Sequence, residues 1–339
     1  MTQKFRKLTR TIKQDRIDDP YSQTREEIGK SNFSVSQRDS IAIAVGSRGI
    51  ANLSIIVKAV VDTIRAMGGK PFIVPAMGSH GGATPEGQTE VLAQYDVIES
   101  VVGAPIRASM EVVELPQGNA PCRVFMDKIA SEADGTIVIN RVKSHSDFDG
   151  PHESGLIKLT VIGLGKHRQA LEIHNAGVTG LREHIPLCAK EILAHGNIRL
   201  GIAIVENAHH ETLIIKAVEP ERFFEDDNAL LKKAKKHMSL LPVAELDILV
   251  VDEFGKEISG TGVDTAVIGR IGIEGEPEPV SPRIKNIILC DLTDMSHGNA
   301  LGTGLADFIT RKVFDKIDIQ VCNPGVVNVK HDIHIVNYK

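Results

Sequence analysis

The apolar positions of this chain fall into two kinds of run, short unbroken ones and longer amphipathic ones, with glycine, proline and serine between them. Ser40-Ile-Ala-Ile-Ala-Val-Gly46 is nearly continuous in apolar residues, as a parallel strand covered on both faces requires. Residues 52–67 space their apolar positions helically and run into Gly68-Gly69, which predicts a C-cap there. Residues 71–77 return as a strand. Thr84-Pro85-Glu86 then sets a hydroxyl at the N-cap and proline at the first helical position. Strand, helix, strand is a βαβ unit, right-handed by the crossover rule. Further strands are predicted at 135–140, 199–206 and 211–218. A charged helix around Asp226–His237 bridges to a second unit with strands at 246–251 and 285–290 and a helix near 301–314. The fold expected is α/β: two α/β domains with mostly parallel sheets, residues 1–236 and 237–339, and an active-site cleft between them.

Composition narrows the function classes. The chain has 339 residues, 42% hydrophobic and 24% charged, which fits an ordinary globular protein of two domains. Its net charge of −5, with lysine and arginine scattered, argues against nucleic acid and membrane surfaces as partners. No apolar stretch reaches the roughly 18 residues of a membrane span. The N-terminus is basic and lacks the apolar core of a secretion signal. Cys122, Cys188, Cys290 and Cys322 stand far apart and form no C-x-x-C pair, which predicts reduced thiols, a cytoplasmic setting and no zinc ribbon.

Three strand-exit loops carry polar chemistry. In Gly46-Ser47-Arg48-Gly49, backbone N–H groups and the Arg48 guanidinium are suited to a phosphate or a carboxylate. In Met77-Gly78-Ser79-His80-Gly81-Gly82, a histidine hemmed by glycines has little packing to justify it, which makes His80 a candidate acid–base. The third loop runs from Arg141 to Lys158 and holds His145 and His152; His174-Asn175 lies sixteen residues beyond Lys158. A lysine flanked by Gly155, Leu156, Ile157, Leu159 and Val161 is either snorkelling or chemically used, because an unpaired buried ammonium is costly.

Several motifs fail. Gly163-Leu-Gly165-Lys166-His167 lacks the spacing and the Ser or Thr of a P-loop, and a dinucleotide fingerprint would need glycine where Arg168 stands. His209-His210-Glu211 and the pair His331 and His334 have no third ligand at zinc spacing and read as solvated faces. Gly260-Thr261-Gly262 reads as a βα turn over the cleft. No G-x-S-x-G elbow is present, which argues against a serine hydrolase.

At the surviving residues the chain resembles the nickel-pincer nucleotide-dependent lactate racemases and their relatives that racemise or epimerise 2-hydroxy acids. The motifs are Pro75-Ala-Met-Gly-Ser-His80-Gly-Gly-Ala-Thr-Pro-Glu-Gly-Gln88, Asn140-Arg-Val-Lys-Ser-His145 and Glu153-Ser-Gly-Leu-Ile-Lys158. Asp252-Glu-Phe-Gly-Lys-Glu-Ile-Ser-Gly-Thr-Gly262 with Ser296-His-Gly-Asn-Ala300 extends the likeness to the second domain. The resemblance implies an isomerase in which His80 and His145 are paired acid–bases, with His152 a rival to His145. It implies that the Ser154-Gly155-x-x-Lys158 pattern binds the nickel-pincer nucleotide, with Lys158 holding it covalently as a thioamide, and that His174 ligates nickel. Arg48, which also borders the expected cofactor site, and Lys256 are the expected substrate-binding residues. The pincer-nucleotide biosynthesis enzymes would be maturation partners.

The chemistry suits those residue types. The Cα–H of a 2-hydroxy acid is too weakly acidic for a side chain to remove as a proton near neutral pH. Removing it as hydride while a base takes the hydroxyl proton avoids the carbanion, and histidine, with an ordinary pKa of about 6.5, can take and return that proton. Racemisation needs one base for each enantiomer, hence two histidines about one planar keto acid. The alternatives are a cofactor-free binding or scaffold relative, and a nicotinamide-dependent oxidoreductase, which the missing dinucleotide glycine disfavours.

Overall fold

The computed structural model describes residues 9, 11–46, 49–273, 276–319, 321, 322 and the backbone of 334–336. Its strands, in chain order, are β1 (Ser40–Val45), β2 (Lys70–Pro75), β3 (Val112–Leu115), β4 (Val124–Asp127), β5 (Gly135–Arg141), β6 (Ile198–Glu206), β7 (Thr212–Val218), β8 (Glu245–Val251), β9 (Arg283–Leu289), β10 (Phe308–Thr310) and β11 (His334–Val336). A five-stranded sheet has the order β2-β1-β5-β6-β7 and a four-stranded sheet the order β11-β10-β9-β8. Every pairing in them is parallel except β6 with β7, so the protein is an α/β fold with mostly parallel sheets.

β1 explains the layering. Ile41, Ile43 and Val45 enter the core shared with the helix Leu53–Ala66, while Ala42 and Ala44 face the opposite core, and all five are fully buried. Small residues on that second face leave room for the helices Lys166–His174, Ile185–His195 and Phe223–Lys236. At β6 the approach is closer still. A Cβ on Gly201 would stand 2.6 Å from Leu156 and 2.8 Å from Phe223, so glycine there lets two helix starts rest directly on the strand.

The predicted β1–helix–β2 unit, the strands at 135–141, 198–206 and 212–218 and the charged helix Phe223–Lys236 all form close to their expected bounds. The predicted helix near 301–314 does not. Gly302 and Gly304 hold only a 3₁₀ turn, Leu301–Leu305; Phe308–Thr310 pairs with β9 as a strand, and the α-helix begins at Arg311 with Thr310 as its N-cap. The antiparallel ribbon β3–β4 was not expected at all.

The chain leaves β1 to one side for β2 and later returns on its other side as β5. Such a reversal opens a crevice beyond the carboxyl ends of the strands, where parallel α/β sheets bind ligands. The loops holding His80 and His145 leave β2 and β5 at that edge.

Candidate active site

The His80 loop is shaped by three glycines with left-handed backbone: Gly78 (φ +61°), Gly81 (φ +64°) and Gly82 (φ +64°). A Cβ on Gly81 would lie 2.5 Å from the carbonyl carbon of Gly87, so the loop folds tightly onto the helix Pro85–Ala93. Thr84 caps that helix, accepting the Gly87 N–H at 3.1 Å. The fully buried Gln88 donates its Nε2 to the carbonyls of Gly78, at 2.9 Å, and His80, at 3.3 Å. The backbone under His80 is thereby fixed while the residue itself stays exposed.

The loop after β5 is closed at its base by an antiparallel bridge, Lys143 N–H to Ser154 O at 2.8 Å and the reverse at 3.1 Å. Inside it the buried Glu153 carboxylate accepts the N–H of His145 at 2.7 Å, the N–H of Gly150 at 3.0 Å and the Lys235 ammonium at 2.7 Å. Burial pushes the Glu153 pKa up against the pull of those donors. Buried Phe148 lies under the His145 ring, centroids 4.8 Å apart. His145 Nδ1 accepts the Asp147 N–H at 3.1 Å, so the neutral ring carries its proton on Nε2. The Asp147 carboxylate waits 3.9 Å from the same Nδ1.

Lys158 follows a second fixed point. Asn140 Nδ2 donates to the Gly155 carbonyl at 2.6 Å, and Asp227 Oδ1 accepts the Leu156 N–H at 2.8 Å, starting the turn Leu156–Lys158. A Cβ on Gly155 would stand 2.1 Å from Asp227 Oδ1, which is why glycine precedes the turn. A π-helical segment, Leu159–Gly163, comes next; such turns recur at functional sites. The chain then turns at Lys166, whose φ is +56°, into the helix Lys166–His174, which packs against that segment. The Lys166 side chain is fully buried beneath the turn. Its Nζ lies 2.8 Å from Asp127 Oδ2 and 3.5 Å from Gln88 Oε1, and bonds the Pro75 carbonyl. The glycine-lysine run that mimics a phosphate loop is therefore occupied internally.

His174 closes its helix with Nδ1 2.7 Å from the Ala170 carbonyl. A carbonyl only accepts, so Nδ1 carries the proton and Nε2 presents a lone pair. The residue is exposed at the helix end, but the protein around it, and next the Lys158 ammonium, push its pKa below the ordinary value; Asp147 acts in the opposite direction. His174, Lys158 and Asp147 thus share one electrostatic neighbourhood.

A cleft of about 1140 Å³ is lined by His80, Arg141, Lys143 and Ser144 on one side and by Leu249, Val251, Lys256 and Gly260 on the other. His145 and Ser154 line a narrow recess beside it, together with Lys143, Ser144, Ser259, Gly260 and Asp264. Arg141 is ion-paired with Glu206. The segments 252–262 and 296–300 meet: the Lys256 N–H bonds Ser296 Oγ at 2.9 Å, and Ser296 Oγ bonds Glu257 at 3.0 Å. Thr265 Oγ1 donates to the Ser146 carbonyl at 2.7 Å and ties that side to the His145 loop.

No protein-family profile and no curated protein matches the chain. Among solved structures it is similar to a Thermotoga maritima protein, 12% identical, with a TM-score of 0.60 over 96% of this chain and 90% of that one. That likeness shows the fold. It also aligns with the lactate racemase apoprotein of Thermoanaerobacterium thermosaccharolyticum, 11% identical, TM-score 0.49, over 96% of this chain and 94% of that one, a match too loose to carry an argument.

Among the expected site residues, His80 and Lys256 face one cleft, His145 and Ser154 line the adjoining recess, and Lys158 and His174 are electrostatic neighbours behind the Gly155 turn. Arg48, with Ser47, lies outside the described residues, as does His331. His152 turns to the helix Phe223–Lys236 instead, 3.7 Å from Asp227 Oδ2 and edge-on to Phe224 at 5.1 Å. His209 bonds the Ile12 carbonyl at 2.8 Å, and His210 is exposed. Sequence reasoning missed Glu153, Asp227 and Gln88. No local pattern marks Asp227 or Glu153, whose nearest neighbours in sequence are polar; only Gln88, one turn from Val91 and Leu92, shows as a polar position among apolar ones. Among the described residues no three His, Cys, Asp or Glu side chains group to hold a metal by themselves, and no helix is long and apolar enough to cross a membrane.

Proposed function

We propose that this protein is a racemase or epimerase of a 2-hydroxy acid that works with a covalently bound nickel-pincer nucleotide. The observation that carries the reading is His174: its Nδ1–H is committed to the Ala170 carbonyl, its Nε2 lone pair is left for a metal, and its neutral form is favoured by burial and then by the Lys158 ammonium. One oriented imidazole next to one amine suits a metal that arrives with its own ligands. The residues fit such a group, with Lys158 as its attachment point, Ser154 and Gly155 forming the turn beneath it, and His174 as the protein's nickel ligand. When bound, the group supplies the acceptor for the substrate's Cα hydride.

The chain's own residues handle the proton. His145 in its neutral form donates from Nε2. To take a hydroxyl proton at Nε2 the neutral ring must first hold its own proton on Nδ1 in place of the Asp147 N–H bond; taking the proton then leaves a cation, which the Asp147 carboxylate 3.9 Å from Nδ1 is placed to steady. His80 serves the opposite enantiomer from the β2 loop. Lys256, exposed in the cleft wall, and Arg48 bind the substrate carboxylate. Production together with the pincer-biosynthesis enzymes tests the assignment. The protein should carry about one nickel per chain, and peptide mass mapping should find the nucleotide on Lys158. An adduct on Lys166, or none at all, contradicts it.

A further inference from the structure

Two cysteines 66 residues apart in sequence are brought to a Sγ–Sγ distance of 3.6 Å, hydrogen-bonded but not linked. Cys122 is half-buried in the bend that leads into β4, and Cys188 is buried in the helix Ile185–His195. Buried Gln169 reaches the same point from the helix Lys166–His174. Its Oε1 accepts the Phe125 N–H at 2.8 Å, and its Nε2 donates to the Arg123 carbonyl at 3.1 Å and lies 3.8 Å from Cys122 Sγ. The Gln169 N–H is turned on the Cys122 sulfur, and once Cys122 is a thiolate the contact with Cys188 can run only from the Cys188 S–H. Neither cysteine lines the cleft, and the proposed isomerase chemistry uses neither.

We propose that Cys122 and Cys188 form a peroxide-reactive dithiol, in which Cys122 is oxidised first and Cys188 then closes a disulfide. The half-exposed sulfur that accepts the donors is the one a small oxidant can reach, and the shielded thiol stands in contact with it. In the first step the Cys122 thiolate attacks a peroxide oxygen. An S–O bond forms, the O–O bond breaks, and the departing hydroxide takes a proton to become water. In the second, Cys188 sulfur gives up its proton and attacks Cys122 sulfur, and the S–O bond breaks with loss of a second water. Two thiols and one hydrogen peroxide become one disulfide and two waters, the peroxide receiving the two electrons. Closing from 3.6 Å to the disulfide length of about 2.05 Å asks for a shift that the irregular segment at Cys122 can supply while Cys188 stays in its helix. The hydrogen bond from Cys188 holds the Cys122 pKa below the usual thiol value, against burial and Glu172, and the same contact pushes Cys188 up.

Treatment of the native full chain with graded hydrogen peroxide, alkylation of remaining thiols and peptide mapping tests this. The expected result is a Cys122–Cys188 cross-linked peptide, lighter by two hydrogens and reversed by dithiothreitol, at doses that leave Cys290 and Cys322 alkylatable. Cys188→Ala should stop at a sulfenic acid on Cys122 that dimedone captures, and Cys122→Ser should leave Cys188 unoxidised. Should Cys188→Ala fail to fold, the wild-type map decides alone. Oxidation of Cys290 or Cys322 at the same dose, or Cys122 and Cys188 still free when those two are consumed, overturns the proposal.

Discussion

His174 and His145 each commit one ring nitrogen to the backbone, in opposite senses. His174 gives its Nδ1 proton to a carbonyl and keeps a lone pair on Nε2; His145 receives an N–H at Nδ1 and keeps a proton on Nε2. The first arrangement suits a metal ligand and the second a proton donor. The lowered His174 pKa fixes a sign. Below the unfolded value of about 6.5 the unfolded chain takes a proton that the folded chain resists, so stability falls as pH drops through that value toward the lower folded one. After burial, the Lys158 ammonium is the next cause of that lowering. An NMR titration of Lys158→Met should therefore show His174 titrating at higher pH than in the wild type; an unchanged midpoint would mean the two groups do not interact. For the proton pair, His80→Ala and His145→Ala should each lower racemisation in both directions by roughly 10²–10⁴. In a rapid-quench single turnover each should still form keto acid from one enantiomer, and from opposite ones. Retention of the same enantiomer by both would remove one histidine from the pair.

At the scale of elements, the helical path from Leu156 to His174 depends on buried polar anchors. Asp227 starts it and Lys166 turns it. Lys166→Met would leave Asp127 as an uncompensated buried carboxylate, so chemical denaturation should show a loss of about 3–5 kcal/mol. A neutral result would mean the ion pair is not closed in solution. Gly155→Ala would drive a Cβ into Asp227, and its backbone is extended, so the cost is steric; the expected outcome is a folded protein with reduced nucleotide loading on Lys158, read by intact mass. Most of these elements were legible in the sequence. Strands β1, β2, β5 and β6 are apolar runs with glycine or proline at their ends, and periodicity alone finds them. The region 301–314 misled because its apolar spacing is helical while Gly302 and Gly304 deny the helix its side chains. Ribbon β3–β4 was hidden because Val112–Leu115 is short and only half covered. His80 and His145 stood out as chemistry in loops, Lys158 by its apolar setting, and His174 by its spacing from Lys158. Their anchors did not, because Asp227 and Glu153 act through contacts 71 and 82 residues distant that no local pattern encodes.

At the scale of the whole molecule, the proposed reaction draws on both sides of the cleft. The loops after β2 and β5 carry His80 and His145, and helical segments packed on the five-stranded sheet carry Lys158 and His174; the segment after β8 supplies Lys256 and, through Thr265, a hydrogen bond to the loop that positions His145. Arg182 and Glu276 add a second tie between the two sides at 2.6 Å. A cleft of about 1140 Å³ exceeds what a small hydroxy acid needs; Lys158 and His174 are not among the residues that line it. The most direct measurement is chiral chromatography of a panel of enantiopure 2-hydroxy acids incubated with the nickel-loaded protein. The account predicts that at least one acid is carried from either enantiomer to the same mixture, and that Lys158→Arg protein carries none. A loaded protein that leaves every enantiomer unchanged contradicts it.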